Sequence, residues 1–330
     1  AIRSYLGRAV RISFMSDRPT VLIPHHVPLD SAREVFEGIE TRRPDLDLHL
    51  ATTPEESREA IDDAEIAVTF GLDEDLLERA ADLEWIQALS AGVDRYDFEE
   101  LEERGIALTN ASGVHAEPIG EQVLGYMLTF ERNLHQAARQ QERGIWERFR
   151  GGELAGKTVG VVGLGAIGTR VAELSQAFDM TVIGTKGNPD DAPDAVDEVF
   201  GPDGLHEVCQ RSDYLIVAVP LNDETRGMIG RWEFRMMQSE AVLINVARGE
   251  VVEQDALVHA LQQGAIGGAA LDVFETEPLP QDSPLWDLSN VVVTPHMSGS
   301  TPEYMDRCAE LFVENYDRYL AGEPLENRII

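Results

Sequence analysis

Three side chains late in the sequence, Arg248, Glu277 and His296, are of types that together can handle a carbonyl beside a carboxylate. A guanidinium grips a carboxylate through two parallel hydrogen bonds. An imidazole, with an unperturbed pKa of about 6.5, can hand a proton to an oxygen on which charge develops. A carboxylate next to that imidazole favours the protonated ring and fixes its orientation. Singly, the three also read as a surface arginine, a solvated glutamate and a core or capping histidine. As a set, each following a short apolar run (241–246, 268–273 and 291–294), they fit a site that reduces a 2-keto acid by hydride transfer and protonation.

A hydride needs a carrier, and the sequence places one upstream. The run 159–162 is apolar and β-branched, as in a buried parallel strand, and the turn Gly163, Gly165, Gly168 follows it directly. Residues 169–178 then have helical spacing, with Val171, Leu174 and Phe178 on one face, and 181–184 form a second strand. A G-x-G-x-x-G alone is weak; between a strand and a helix it is the dinucleotide fingerprint. The first glycine makes the turn, the second admits the pyrophosphate, and the third lets helix and strand pack closely.

NAD-selective sites place an acid about 20 residues on, at the end of the second strand. Here the residues are Thr185, Lys186, Gly187 and Asn188, so no carboxylate opposes a ribose 2′-phosphate. Lysine occurs only at Lys157 and Lys186, and a chain so poor in it that keeps one here points to phosphate contact. NADP is the expected preference, with NAD as the second possibility. Pro220 and Val246, at the ends of the apolar runs 214–220 and 241–246, face the same side and are further candidates for cofactor contact.

Composition narrows the partners. The chain has 330 residues, 60 acidic against 27 basic, for a formal net charge of −33. That charge excludes nucleic acid and anionic membrane, which require a basic face. An acidic surface almost without lysine reads as adaptation to a salty cytosol, where salt screens the self-repulsion. Two cysteines, Cys209 and Cys308, suit a reducing, cytoplasmic setting without a disulfide framework, and no apolar run approaches the length of a membrane span. No metal-ligand spacing stands out. Residues 1–20 carry Arg3, Arg8, Arg11 and Arg18 against Asp17 alone, and 1–14 read either as a segment added ahead of a natural start at Met15 or as a basic arm.

The elements that must position these residues alternate strand and helix. Strands are expected at 21–23, 46–51, 66–69, 85–89 and 106–109, with helices at 31–38, opened by a capping residue, and 73–82. This half lacks a glycine fingerprint, so it is expected to bind substrate; its turn Ser90-Ala91-Gly92-Val93-Asp94 is either a plain turn or an anion nest. Residues 119–139 read as one long helix crossing between domains, and 302–320 as a helix packing back on the first.

In order and spacing, GLGAIG at 163–168, VPLNDET at 219–225, INVARGE at 244–250, LDVFETEP at 271–278 and TPHMSGST at 294–301 resemble the D-isomer-specific 2-hydroxyacid dehydrogenases. The resemblance extends from about Val21 to nearly the end of the chain. It implies an α/β fold of two Rossmann-like doubly wound parallel-sheet domains with an active-site cleft between them. Residues 1–114 with 298–330 would form the substrate-binding (catalytic) domain and 115–297 the dinucleotide-binding domain. It also implies a homodimer held by the coenzyme domains. Carried over by position, Arg248 binds the substrate carboxylate, His296 is the acid/base and Glu277 its partner. Ala91 and Gly92 give backbone N–H groups to the carboxylate, and Gly165, Ala166 and Ile167 hold the pyrophosphate. Thr225 lies on the cofactor side, and Asp272 holds the nicotinamide carboxamide. The family's usual acid is replaced by Thr185, which turns the expectation toward NADP. The implied reaction is NAD(P)H-dependent reduction of 2-keto acids to D-2-hydroxy acids and its reverse. Glyoxylate/hydroxypyruvate reductase and phosphoglycerate dehydrogenase are alternatives in the same fold, and a nucleotide-sensing corepressor-like protein is the alternative from another class. His25, His26 and Met297 are placed by the fold to line the side-chain pocket.

Overall fold

The computed structural model describes residues 18–93 and 95–330, so the expectations for residues 1–14 and for Asp94 lie outside the described residues. The chain divides into two compact units, one of the described residues up to Ala111 together with Met305–Ile330, the other Ser112–Tyr304. The sequence reading placed these boundaries at 114 and 298.

In unit 1 the strands β1 (Thr20–Ile23), β2 (Asp47–Leu50), β3 (Ile66–Thr69), β4 (Trp85–Ala88) and β5 (Ala107–Thr109) alternate with helices α1 (Leu29–Arg42), α2 (Pro54–Ile61), α3 (Glu74–Arg79) and α4 (Phe98–Arg104). Every pairing is parallel, in the order β2-β1-β3-β4-β5. β3 and β4 are covered on both faces and each of their residues is buried, Gln87 and Thr69 being the polar members. The start of α1 corrects the expected capping: the helix begins at Leu29 after Pro28, with no side-chain cap. Side-chain caps are instead found at α2, α3 and α4, from Thr53, Asp73 and Asp97.

Unit 2 begins with α5 (Ala116–Glu131) and α6 (Leu134–Glu142) where one long helix was expected. Asn133 takes a left-handed conformation (φ 54°) between them and ends the first helix. Both helices belong to unit 2, so neither is the crossing element that was expected.

The second sheet contains β6 (Thr158–Val162), β7 (Thr181–Thr185), β8 (Glu198–Phe200), β9 (Tyr214–Val217), β10 (Val242–Asn245), β11 (Gly268–Leu271) and β12 (Val291–Val293). Between them run α7 (Ala166–Gln176), α8 (Leu205–Arg211), α9 (Arg231–Met236) and α10 (Gln254–Gln262). The strand order is β12-β11-β10-β9-β6-β7-β8, all parallel. The order reverses between β6 and β9, and open α/β sheets bind ligands at the carboxyl ends of strands beside such a reversal. No described helix is long and apolar enough to cross a membrane.

Helix α11 (Tyr304–Ala321) returns to unit 1. Its Phe312 stacks on Trp85 with ring centroids 5.4 Å apart, both fully buried. Burying one such ring stabilises by roughly 1.5–3 kcal/mol. A buried polar chain accompanies it: Trp85 Nε1 donates to Thr109 Oγ1 (2.8 Å), Thr109 Oγ1 to Gln87 Oε1 (2.9 Å), and Asn315 Nδ2 to Gln87 Oε1 (3.2 Å). Each buried polar group there therefore has a partner.

Candidate active site

Three neighbouring strands of the second sheet, β10, β11 and β12, carry Arg248, Glu277 and His296 beyond their carboxyl ends. The loop before Arg248 is shaped by Asn245, whose Oδ1 accepts from the Ala247 N–H (3.1 Å) and whose Nδ2 donates to the Arg248 carbonyl (3.0 Å). The Arg248 guanidinium is half-buried and donates to the Ala247 carbonyl at 2.8 Å. Among the described residues it forms no ion pair, so its charge is available to an incoming carboxylate. His296 Nδ1 lies 2.7 Å from Glu277 Oε2, and Glu277 Oε1 accepts from the Phe274 N–H at 3.0 Å. The imidazole is 51% exposed, with Nε2 as the nitrogen Glu277 does not hold.

Asp272, only 1% exposed, holds the loop that carries His296. It accepts from the Met297 N–H (3.0 Å), the Ser298 N–H (2.9 Å), Ser298 Oγ (2.6 Å) and Thr294 Oγ1. The Asp272 carbonyl also accepts the N–H of His296 at 2.8 Å. Tyr126 of α5 bonds Thr294 Oγ1 at 2.5 Å, and burial pushes its phenol pKa up. Positioning His296 is thus a task of Asp272 that the sequence reading did not anticipate. Asn245, Thr294 and Ser298 were likewise missed, since their partners are set by tertiary structure.

The glycine turn has the three expected geometries. Gly163 has φ +99°, and a Cβ on it would meet Ala218 O at 2.8 Å. A Cβ on Gly168 would meet Gly163 O at 2.1 Å. At Gly165 nothing lies within 4 Å of a Cβ, so no contact inside the chain demands glycine there. Helix α7 starts at Ala166 with Gly165 as N-cap and no side-chain cap, leaving the first-turn N–H groups of Ala166, Ile167 and Gly168 to a ligand.

At the end of β7, Thr185 is buried and its Oγ1 accepts from the Gly163 N–H at 3.3 Å. Lys186 is the first residue beyond the strand, and its Nζ donates to Leu164 O, within the glycine turn, at 2.8 Å. The cation beside the fingerprint is therefore Lys186, while Thr185 braces the turn from beneath. Val246 is buried in the core, and its N–H donates to the Val217 carbonyl at 3.4 Å. Thr225 Oγ1 donates to Pro220 O (2.6 Å) and accepts from the Asn222 N–H (2.9 Å), closing the loop after β9.

In unit 1, Ala91 and Gly92 follow β4. Three carbonyls of their turn are engaged: Ser90 O by the Ala111 N–H (3.0 Å), Ala91 O by Asn110 Nδ2 (2.7 Å) and Gly92 O by Ser90 Oγ (2.7 Å). Its donors are what remains to face a ligand. A cleft of about 510 Å³ lies elsewhere, at the amino ends of the second sheet beside Lys157, Asp213 and Gly267. That is the edge opposite the glycine turn. No cluster able to hold a metal ion is present among the described residues.

Residues 124–298 match the family model described as D-isomer specific 2-hydroxyacid dehydrogenase, NAD binding domain. The chain belongs to the D-isomer-specific 2-hydroxyacid dehydrogenase family. Among its relatives in this family, the glyoxylate/hydroxypyruvate reductase B of Yersinia pestis is 33% identical over 323 residues, 94% of this chain and 97% of that protein. The D-3-phosphoglycerate dehydrogenase of Methanocaldococcus jannaschii is 38% identical over 291 residues, 86% of this chain; the match spans only 55% of that longer protein. A 2-hydroxyacid dehydrogenase from Xanthobacter autotrophicus, solved in complex with NADPH and MES, is 28% identical, covers 95% of this chain and 98% of its own, and superposes with a TM-score of 0.82. As a member of this dehydrogenase family, the chain carries the nucleotide fold in unit 2, where the uncapped α7 and the open position at Gly165 fit a dinucleotide pyrophosphate.

Proposed function

We propose that the protein reduces 2-keto acids to D-2-hydroxy acids with a nicotinamide dinucleotide, NADPH preferred, and catalyses the reverse reaction. The observation that carries the reading is the edge formed by β10, β11 and β12. It presents an arginine without an ion-pair partner among the described residues beside a histidine oriented by a carboxylate. When bound, the dinucleotide supplies hydride. Arg248 binds the substrate carboxylate and orients the keto group, and the Ala91 and Gly92 amides are donors of the kind a carboxylate takes. His296 Nε2 gives its proton to the carbonyl oxygen, and Glu277 stabilises the ring in its protonated state through Nδ1. Asp272 keeps the His296 loop in place and contacts the carboxamide of the nicotinamide. Pro220, Thr225 and Val246 border the cofactor.

The NADPH preference rests on Thr185, which replaces the acid of an NAD-selective chain, and on the adjacent Lys186, whose ammonium stands at the glycine turn. A neighbour solved with NADPH supports it. We also propose a homodimer formed through unit 2. Its segment between α6 and β6 exposes Ile145, Trp146 (93%) and Phe149, a density of large apolar side chains that supports this reading.

Initial rates of NADPH and NADH oxidation with a panel of 2-keto acids in molar salt test the proposal. Turnover with NADPH favoured is the expected result; a folded protein that binds nucleotide but reduces none of the panel would refute it.

A further inference from the structure

The backbone of His296 takes a left-handed conformation, with φ 51°. Residues with a Cβ adopt it uncommonly, and it persists where the surroundings fix it. Asp272 supplies that fixing. Its carbonyl accepts the His296 N–H at 2.8 Å, and its carboxylate grips the chain on both sides of the histidine. Thr294 Oγ1 donates to it from before His296, and the N–H groups of Met297 (3.0 Å) and Ser298 (2.9 Å) donate from after.

The grip through Thr294 has a further member on another element. Thr294 Oγ1 gives its single hydrogen to Asp272 Oδ1, so toward the hydroxyl of Tyr126, 2.5 Å away, it can only accept. Tyr126 is therefore the donor. Burial raises its pKa above the ordinary phenol value of 10.0, which keeps that hydrogen in place at neutral pH. The series runs from the Tyr126 hydroxyl to Thr294 Oγ1 to Asp272 Oδ1, and hydrogen bonds in series polarise and strengthen one another.

The identity of residue 126 is informative in its setting. Helix α5 buries Pro118, Ile119, Gly120, Val123, Tyr126 and Met127, and of these Tyr126 alone carries a polar side-chain group. Its ring is 3% exposed and shares one apolar cluster with Val161 of β6, Ile216 of β9 and Ala270 of β11. Packing in that cluster requires a ring, which phenylalanine would supply; the hydroxyl serves Thr294.

We propose that Tyr126 is a positioning residue for His296, acting through Thr294 and Asp272. The inference rests on the function proposed above, in which His296 gives the proton. Without the phenol hydrogen, Thr294 Oγ1 loses the partner that holds its rotamer, and the grip of Asp272 before His296 loosens. A catalytic group displaced by about 1 Å can cost up to about a hundredfold in rate, with little effect on how the substrate is bound.

The test measures kcat and KM with the best keto acid of the panel at saturating NADPH, in the full-length protein. Rates are referred to the concentration of nucleotide-binding sites, so that a loss of folded protein does not count as a loss of turnover. Tyr126→Phe is expected to lower kcat about tenfold and to change KM by less than about twofold. In a Thr294→Val background the same substitution is expected to change kcat by less than about twofold, because the route through which it acts is already cut. An unchanged kcat in Tyr126→Phe would overturn the inference and leave the reductase reading standing. So would an equal fall in both backgrounds, the result that loosened packing around α5 would give. A wild type that binds NADPH and reduces no acid of the panel would instead remove the reductase reading and this inference with it.

Discussion

Glu277 holds His296 with one carboxylate oxygen, 2.7 Å from Nδ1, while its other oxygen is fixed by the backbone N–H of Phe274 at 3.0 Å. The acid is thus tied to main chain before it orients the ring. In Glu277→Gln the single amide oxygen can accept from the Phe274 N–H or from His296 Nδ1–H but not from both, and it supplies no charge to an imidazolium. Turnover is expected to fall by about tenfold, less than the loss of the histidine itself, with nucleotide affinity retained. Steady-state rates beside a nucleotide titration check this; turnover equal to the wild type would show that the carboxylate charge is dispensable.

The glycine turn separates a packing role from a ligand role. Gly168 faces backbone at 2.1 Å, so Gly168→Ala is expected to destabilise the protein by about 1–3 kcal/mol. Gly165 faces open space, so Gly165→Ala should leave stability within about 0.5 kcal/mol while weakening dinucleotide binding. Denaturant unfolding and a nucleotide titration on both variants distinguish the two roles.

Lys186 directly follows Thr185, which stands where an acid would hold a ribose 2′-hydroxyl, and its Nζ lies at the Leu164 carbonyl. Lys186→Asp is expected to move the NADPH to NADH ratio of kcat/KM toward NADH by at least tenfold. The same ratio measured for Thr185→Ser should shift far less, since Thr185 Oγ1 is turned to Gly163.

Arg42 of α1 and Asp306 of α11 are joined by two hydrogen bonds, at 2.7 and 2.8 Å. The Arg42 guanidinium holds the Asp306 carboxyl below its ordinary range. A depressed carboxyl pKa contributes stability that is complete above the unfolded value and lost as pH falls through the folded one. Asp306 is 62% exposed, so the coupling is screened and is expected to be about 0.5 kcal/mol. A double-mutant cycle of Arg42→Ala and Asp306→Ala should show it at pH 6 and not below about pH 3, smaller in molar salt.

Much of this fold is legible because buried parallel strands announce themselves. The runs at 66–69 and 85–88 are predominantly apolar, and the fingerprint sits between a strand and a helix. Other elements were hidden by the acidic surface. Helix α4, FEELEER, buries Leu101 alone, so it has almost no apolar period, although its Asp97 cap and the left-handed Gly105 after it are recognisable signals. Helix α2 was missed for the same reason despite Thr53 and Pro54 at its start. The break at Asn133 escaped because a single left-handed residue can end a helix without disturbing the composition around it. In the site, Arg248, Glu277 and His296 were readable from type and strand-end position. The work of Asp272 was not, because its partners Thr294, Met297 and Ser298 come to it from the next strand of the sheet.

The central claim is that His296 supplies the proton in reduction of a 2-keto acid. Its most direct measurement is the kcat of His296→Asn against wild type in NADPH oxidation with the best keto acid of the panel, alongside NADPH affinity for both proteins. The account predicts a loss in kcat of about a hundredfold or more with NADPH affinity unchanged. A variant that binds NADPH and turns over at close to the wild-type rate would contradict it.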